Sequence, residues 1–330
     1  MTSPPKPAEP NSNVTIQFYP QANPRNRLWA LWYFCPLITL WTLFGHLVLG
    51  FEQAWLAPLV AVSVGLAAQL GLEWMDAWGK HRPPRWTQSW GEFWGMLPPA
   101  IIPSLACAML LYPNQRLLPV VFAVVFSIAS KPLLRIPVGG GRTQHLFNPS
   151  NVAISSTLLL FPDVGFAPPY HLTENLTGEW NWIVPSLILG TGIIVHALFT
   201  GRLALCAAWI GGFIAQGLLR SWWFGTPWVA PLVPMSSAAF ILFTLYMIPD
   251  PATTPKSLGG QIAFGAGNAA VYGLLQVLHI VFGLFLALTI TSGLRGVVIL
   301  LNRWVVASAT ARQAATPAAT LDPQPATVPT

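Results

Sequence analysis

Leu28-Trp29-Ala30-Leu31-Trp32-Tyr33-Phe34-Cys35-Pro36-Leu37-Ile38-Thr39-Leu40-Trp41-Thr42-Leu43-Phe44-Gly45-His46-Leu47-Val48-Leu49 contains no Asp, Glu, Lys or Arg. About 20 helical residues cross a hydrocarbon layer about 30 Å thick, so this run is long enough to span a bilayer. A polar, proline-bearing stretch precedes it, and the run is too long for the apolar core of a cleavable leader. It reads as an uncleaved first span. Further apolar runs follow at 55–73, 96–112, 117–134, 148–161, 181–199, 203–219, 229–248, 262–276 and 279–301. The expected fold class is therefore all-α: a polytopic transmembrane helical bundle of about ten spans. Residues 1–27 and the Ala/Thr/Pro-rich stretch 302–330 flank it and read as disordered.

Composition supports this reading. Of 330 residues, 54% are hydrophobic and 8% charged, against about 25% charged in soluble domains. The 16 tryptophans suit the two membrane–water interfaces, where that side chain collects. The net charge of +6 is scattered between apolar runs, with no basic cluster of the kind that tracks nucleic-acid phosphates. Cys35, Cys107 and Cys206 lie far apart inside apolar segments, without C-x-x-C spacing, and read as buried thiols. No metal site is expected.

Lysine and arginine placement gives the chain a direction. With ten spans, Arg116 and Arg220 fall on one side, and the other fourteen of the sixteen basic residues fall on the opposite side. Positive residues accumulate in cytoplasmic loops. Both termini are therefore expected in the cytoplasm, with the chain in the cell's inner (plasma) membrane. The fifth run goes from Asn148-Pro149-Ser150 to Pro162-Asp163, and the eighth from Pro234-Met235-Ser236 to Pro249-Asp250. The map makes these two run in opposite directions, which suggests a 5+5 inverted repeat.

Two loops on the predicted cytoplasmic side carry chemistry. The first is Val138-Gly139-Gly140-Gly141-Arg142-Thr143-Gln144-His145-Leu146-Phe147-Asn148-Pro149-Ser150-Asn151. Its glycines let backbone approach a ligand closely. Arg142 offers an anion contact, and the helix opening at Asn148-Pro149 points its free N–H groups toward the loop. The set suits a phosphate or carboxylate; a tight re-entrant turn is the structural alternative. The second loop is Pro249-Asp250-Pro251-Ala252-Thr253-Thr254-Pro255-Lys256. Its prolines end the helix. Asp250 and the threonines either close a rigid turn or bind a cation or cofactor.

A glycine-rich turn, then Phe147-Asn148-Pro149 opening a helix, then a later helix ending in Asp250-Pro251-Ala252-Thr253, resembles the NqrB/RnfD family. These are the membrane subunits B and D of the sodium-pumping NADH:quinone reductase and the Rnf electron-transport complex. Ala123 to Lys131 before the first motif and Ile262-Ala263-Phe264-Gly265 after the second agree. The resemblance covers about residues 28–301. It implies a ten-helix subunit that holds flavin or quinone and passes electrons, beside other membrane or soluble redox subunits, in a complex coupled to ion movement. It also implies a cofactor site at Gly139, Gly140, Gly141, Arg142, Thr143, Phe147, Asn148, Asn151, Asp250, Thr253 and Thr254. The family's Asp-x-x-Ser-x-Ala-Thr pattern for covalent FMN is absent: Thr177 and the Ser308-Ala309-Thr310 stretch do not match it. FMN or riboflavin held non-covalently is the expectation. The shortened form looks most like the UnbU-like branch encoded beside enediyne biosynthesis genes.

Other polar residues have plainer readings. His46 and His279 near the outer face could bracket a haem, but span-end histidines are more often interfacial. His196 could relay protons or bond a neighbouring helix. Gln69, Gln216, Asn268 and Gln276 suit helix–helix hydrogen bonds. No charged residue is expected near the middle of any span, which argues against a proton pump working through this chain alone. A channel or transporter without redox chemistry is the alternative function; a scaffold for soluble enzymes ranks below it.

Overall fold

The computed structural model describes residues 24–51, 53–114, 116–139, 142–166 and 176–315. The expectation of disorder for 1–27 lies outside these residues except at Pro24–Arg27, which are helical. Ten α-helices run in order: α1 (Pro24–Phe44), α2 (Leu56–Gly79), α3 (Trp90–Leu110), α4 (Leu118–Leu133), α5 (Pro149–Leu160), α6 (Trp180–Val195), α7 (Leu203–Phe224), α8 (Ala238–Leu242), α9 (Leu258–Val277) and α10 (Gly283–Ala315). Helix thus occupies each apolar run. Among the described residues six helices are long and apolar enough to cross a membrane, and the bent pair Ala230–Ser236 plus Ala238–Met247, at 75°, makes a seventh if counted as one span. Helices α4, with 16 residues, and α5, with 12, are short. Helix α9 has the length, but Gly259, Gly260, Gln261, Gly265, Gly267, Asn268 and Gly273 dilute its hydropathy.

The chain pairs an apolar core with an apolar surface and buries polar residues among the helices. Ser104, Ser127, Asn151, Thr157, Gln261 and Asn268 are buried, while Leu40, Leu47, Leu59, Leu160, Trp222 and Leu301 are exposed. So large an apolar surface needs an apolar solvent. The protein is a membrane-embedded helical bundle.

Helix ends follow local chemistry. Ser89 caps α3 by accepting from the Glu92 N–H at 3.2 Å, the Ser-x-x-Glu pattern of a capping box. Helices α1 and α6 each loosen into a π turn, Gly45–Leu49 and His196–Thr200. Both then stop at a left-handed glycine, Gly50 (φ 72°) and Gly201 (φ 62°), a conformation that costs glycine nothing. Of the tail expected to be disordered, residues 302–315 continue α10 to Ala315, and 316–330 lie outside the described residues. Residues 302–315 include five alanines, and no proline comes before Pro317, so helix propensity carries the last turns past the apolar run.

Packing pairs the elements in a repeating scheme. Helix α1 packs on α3 as α6 packs on α8; α2 packs on α4 as α7 packs on α9; α4 packs on α5 as α9 packs on α10. Helix α5 also lies against α10, with Asn151 near Thr289 and Phe166, beyond the end of α5, against Phe282. The two therefore run antiparallel. Two-stranded pairings close both ends of the molecule. At one end β1 (Leu111–Tyr112) pairs with β4 (Gly165–Phe166), and Arg116 bonds Asp163 at 2.8 Å. At the other, β2 (Arg135–Gly139) pairs with β3 (Arg142–His145).

The α7–α9 crossing depends on Gly265, where a Cβ would stand 2.5 Å from the Leu205 carbonyl and 2.9 Å from the Trp209 N–H nitrogen. Backbone cannot yield as a side chain can, and overpacking costs about 1–3 kcal/mol or more. Gly265→Val is expected to lower the Tm of the detergent-solubilised protein by several degrees. Gly211→Ala, with nothing within 4 Å of the added atom, should leave it unchanged or slightly raised.

Candidate functional site

The first motif folds as a β-hairpin. Ile136 stands opposite Gln144, Pro137 opposite Thr143 and Gly139 opposite Arg142. Arg135 fixes it, with Nε on the Thr143 hydroxyl at 2.7 Å and a terminal nitrogen on the Thr143 carbonyl at 3.0 Å. Gly140, Gly141 and the side chain of Arg142 lie outside the described residues. Of the three glycines of the expected cradle, the structure describes Gly139, which is paired in β2. The start of α5 is instead closed by its own cap: the Asn148 side-chain oxygen accepts from the Asn151 N–H at 3.2 Å and the Ser150 hydroxyl at 2.9 Å. The hairpin's far side faces α10, where the Leu146 side chain and the Phe147 ring pack on Gly296 and Gly293.

Asn148 joins the two motifs. Its Nδ2 donates to the Met247 carbonyl at 2.8 Å, three residues before Asp250. Asn151 reaches α10, donating to the Phe285 carbonyl at 3.0 Å and the Thr289 hydroxyl at 2.9 Å. Its Oδ1 is buried without a hydrogen-bond partner.

The second motif is a self-bonded turn. The Asp250 carboxylate accepts from the Ala252 N–H at 3.0 Å and the Thr253 hydroxyl at 3.1 Å. Its backbone carbonyl accepts from the Thr253 and Thr254 N–H groups at 3.1 Å each and from the Thr254 hydroxyl at 2.7 Å. Two arginines absent from the expected site grip it: Arg202 Nε donates to the Thr254 hydroxyl at 3.0 Å, and an Arg295 terminal nitrogen donates to the Thr253 carbonyl at 2.7 Å. Below them the Gln261 amide donates to the carbonyls of Gly201 at 3.1 Å and Lys256 at 3.2 Å. The structure thus brings Asn148, Asp250, Thr253 and Thr254 together.

Arg295 lies within the apolar helix Gly283–Ala309 and is held at the level of the Asp250 turn by the Thr253 carbonyl; one hydrogen bond to a charged group contributes about 1.5–3 kcal/mol. Arg202, at the head of α7, is only 5% exposed. Burial pushes its guanidinium below the usual arginine range, the attraction of Asp250 opposes this, and the repulsion of Arg295 adds to it. Lys131, near the end of α4, is attracted by the same Asp250 and donates to the Pro99 carbonyl. Pro103 has no N–H to give that carbonyl, so the lysine supplies a missing helix donor.

Other expectations find places too. His196 Nε2 meets the Leu245 carbonyl at 2.5 Å and its Nδ1 the Thr200 hydroxyl at 2.6 Å. A carbonyl only accepts, so Nε2 carries the proton and the ring braces α6 against the eighth segment. His46 bonds the Thr42 carbonyl at 2.9 Å and is buried, whereas His279 is exposed in the α9–α10 turn. Asn268 receives the Thr291 hydroxyl at 3.4 Å, which ties α9 to α10 as a helix–helix contact. Among the described residues no three His, Cys, Asp or Glu side chains converge as a metal centre.

The arginines were legible only as topology signals. Nothing in the residues around Arg202 or Arg295 announces a turn fifty or forty positions away. Neither a protein-family model nor a curated protein matches the chain.

Asn148→Ala removes a cap worth about 0.5–2 kcal/mol and strands a buried carbonyl at about 1–3 kcal/mol. Its thermal unfolding in detergent should show a loss of about 2–4 kcal/mol. Asn148→Ser, which keeps a capping oxygen and drops the reach to Met247, should fall between the two proteins.

Proposed function

We propose that this chain is a membrane-embedded electron-transport subunit of the NqrB/RnfD type. It binds FMN, riboflavin or a quinone non-covalently at the end of the bundle where the hairpin and the Asp250 turn meet. It works with other membrane or soluble redox subunits in a complex coupled to ion transport, in the inner membrane with both termini cytoplasmic. Its shortened form suits a role in enediyne or related secondary-metabolite biosynthesis.

The observation that carries the reading is the Asn148–Met247 hydrogen bond, 2.8 Å long across 99 residues. Phe-Asn-Pro and Asp-Pro-x-Thr are the two motifs of the resemblance, and this contact makes them neighbours. A ten-span 5+5 inverted repeat belongs to the same reading. The packing scheme supports it, since the α1–α3, α2–α4 and α4–α5 pairings have counterparts in α6–α8, α7–α9 and α9–α10. So do the matched π turns that end at Gly50 and Gly201. On this scheme α5 corresponds to α10 and α8 to α3, so the Pro-Asp likeness of the fifth and eighth runs is local.

A transporter without redox chemistry is the second reading. The 75° bend in the eighth segment favours it, because broken helices are what transporters use to expose backbone at a substrate site.

The absorption spectrum and intact mass of protein purified from riboflavin-replete cells separate the two. Flavin bands released on denaturation, with the polypeptide at its unmodified mass, support the redox reading. Flavin- and quinone-free protein that moves solute in liposomes supports the transporter.

A further inference from the structure

The Asp250 turn is gripped by more positive charge than it can neutralise. Arg202, Arg295 and Lys131 form none of the ion pairs found among the described residues. By contrast, Lys80, Arg82 and Arg85 in the α2–α3 loop are each matched by Asp76, Glu73 or Glu92. The loop basics are thus neutralised where water could screen them, and the more deeply placed ones are not.

Asp250 does not repair the imbalance. It attracts Arg202 and Lys131, but its carboxylate oxygens are taken by the Ala252 N–H and the Thr253 hydroxyl. Arg202 and Arg295 repel each other. Each spends one nitrogen on the turn, Nε at Thr254 and a terminal nitrogen at Thr253. The hydrogen bond that Arg202 makes among the described residues engages Nε, and its terminal nitrogens are not among the fully buried atoms left without a partner, so they are open to an incoming anion. Two guanidiniums on one turn are a poor structural strut, because neutral donors would hold the same carbonyl and hydroxyl without the cost of buried charge. They are a good receptor for an anion with several acceptor oxygens, since guanidinium nitrogens match phosphate geometry.

We propose that Arg202 and Arg295 bind a phosphate group over the Asp250 turn. The inference rests on charge imbalance and holds whether or not the chain carries electrons. The phosphate has two sources, the headgroup of an anionic lipid or a soluble phosphate ester, and the chemistry at the arginines is the same for both.

The test is thermal unfolding of the full-length protein in nanodiscs at constant ionic strength. One set of discs is made of phosphatidylcholine and titrated with inorganic phosphate or FMN against chloride. A second set contains phosphatidylglycerol. A phosphate or FMN shift of several degrees, absent with chloride, assigns the site to a soluble ester. A shift confined to phosphatidylglycerol discs assigns it to lipid. Arg202→Gln and Arg295→Gln should each reduce the shift at least several-fold, and Arg303→Gln, on the exposed end of α10, should keep it. If Arg295→Gln does not fold, Arg295→Lys tests the same point, because it keeps the charge and loses the fork and should weaken the shift. Equal unfolding temperatures in every condition would overturn the proposal, as would a shift that the cluster variants retain. Flavin content read from the same samples reports separately on the redox reading.

Discussion

Lipid offers no hydrogen bonds, so every backbone group this chain frees inside the bilayer must be answered by the protein itself. That constraint organises the molecule. Helix α3 carries Pro98, Pro99 and Pro103, which strip donors from its ladder, and Lys131 crosses from α4 to answer one of the freed carbonyls. The π turns at Gly45–Leu49 and His196–Thr200 end at glycines whose own N–H groups bond back into the turn. The Gly201 carbonyl left over is met by Gln261. Polar side chains collect inside because that is where the unmet groups are.

The same rule explains why the two motifs meet. The eighth segment unwinds through Phe243–Met247 and stops at Pro249, leaving carbonyls without a following turn. Asn148, itself needed to cap α5, has a spare amide to give one of them. Arg202, Arg295 and Thr254 complete the set around Asp250. Rigidity here comes from shared hydrogen bonds between α5, α7, α10 and the turn, so a change at any one of them is felt at the others.

Much of the fold was legible because apolar runs and their glycine, proline and charged punctuation are local signals. Each of the ten runs is helical, and Ser89, Asn148, Gly50 and Gly201 mark ends where a reader of helix caps would look. The hairpin was not legible. Its strands are five and four residues long, interrupted by proline, and too short for alternation to stand out beside three glycines. The reach of α10 to Ala315 was missed because hydropathy falls there while helix propensity does not. In the site, Asp250, Thr253 and Thr254 could be read from their turn chemistry. Arg202 and Arg295 could not, since each owes its role to a contact across 52 or 42 residues.

The account depends on one aqueous end carrying both the hairpin and the Asp250 turn, with the Arg116–Asp163 contact at the other. Single cysteines placed at Thr143, Lys256, Arg116 and Thr226, in sealed cells and with a membrane-impermeant maleimide, address that directly. The native Cys35, Cys107 and Cys206 are buried and form a quiet background. Thr143→Cys and Lys256→Cys should share one labelling side, and Arg116→Cys and Thr226→Cys the other. Labelling of Thr143→Cys and Lys256→Cys from opposite sides would contradict the arrangement of spans on which the site is built.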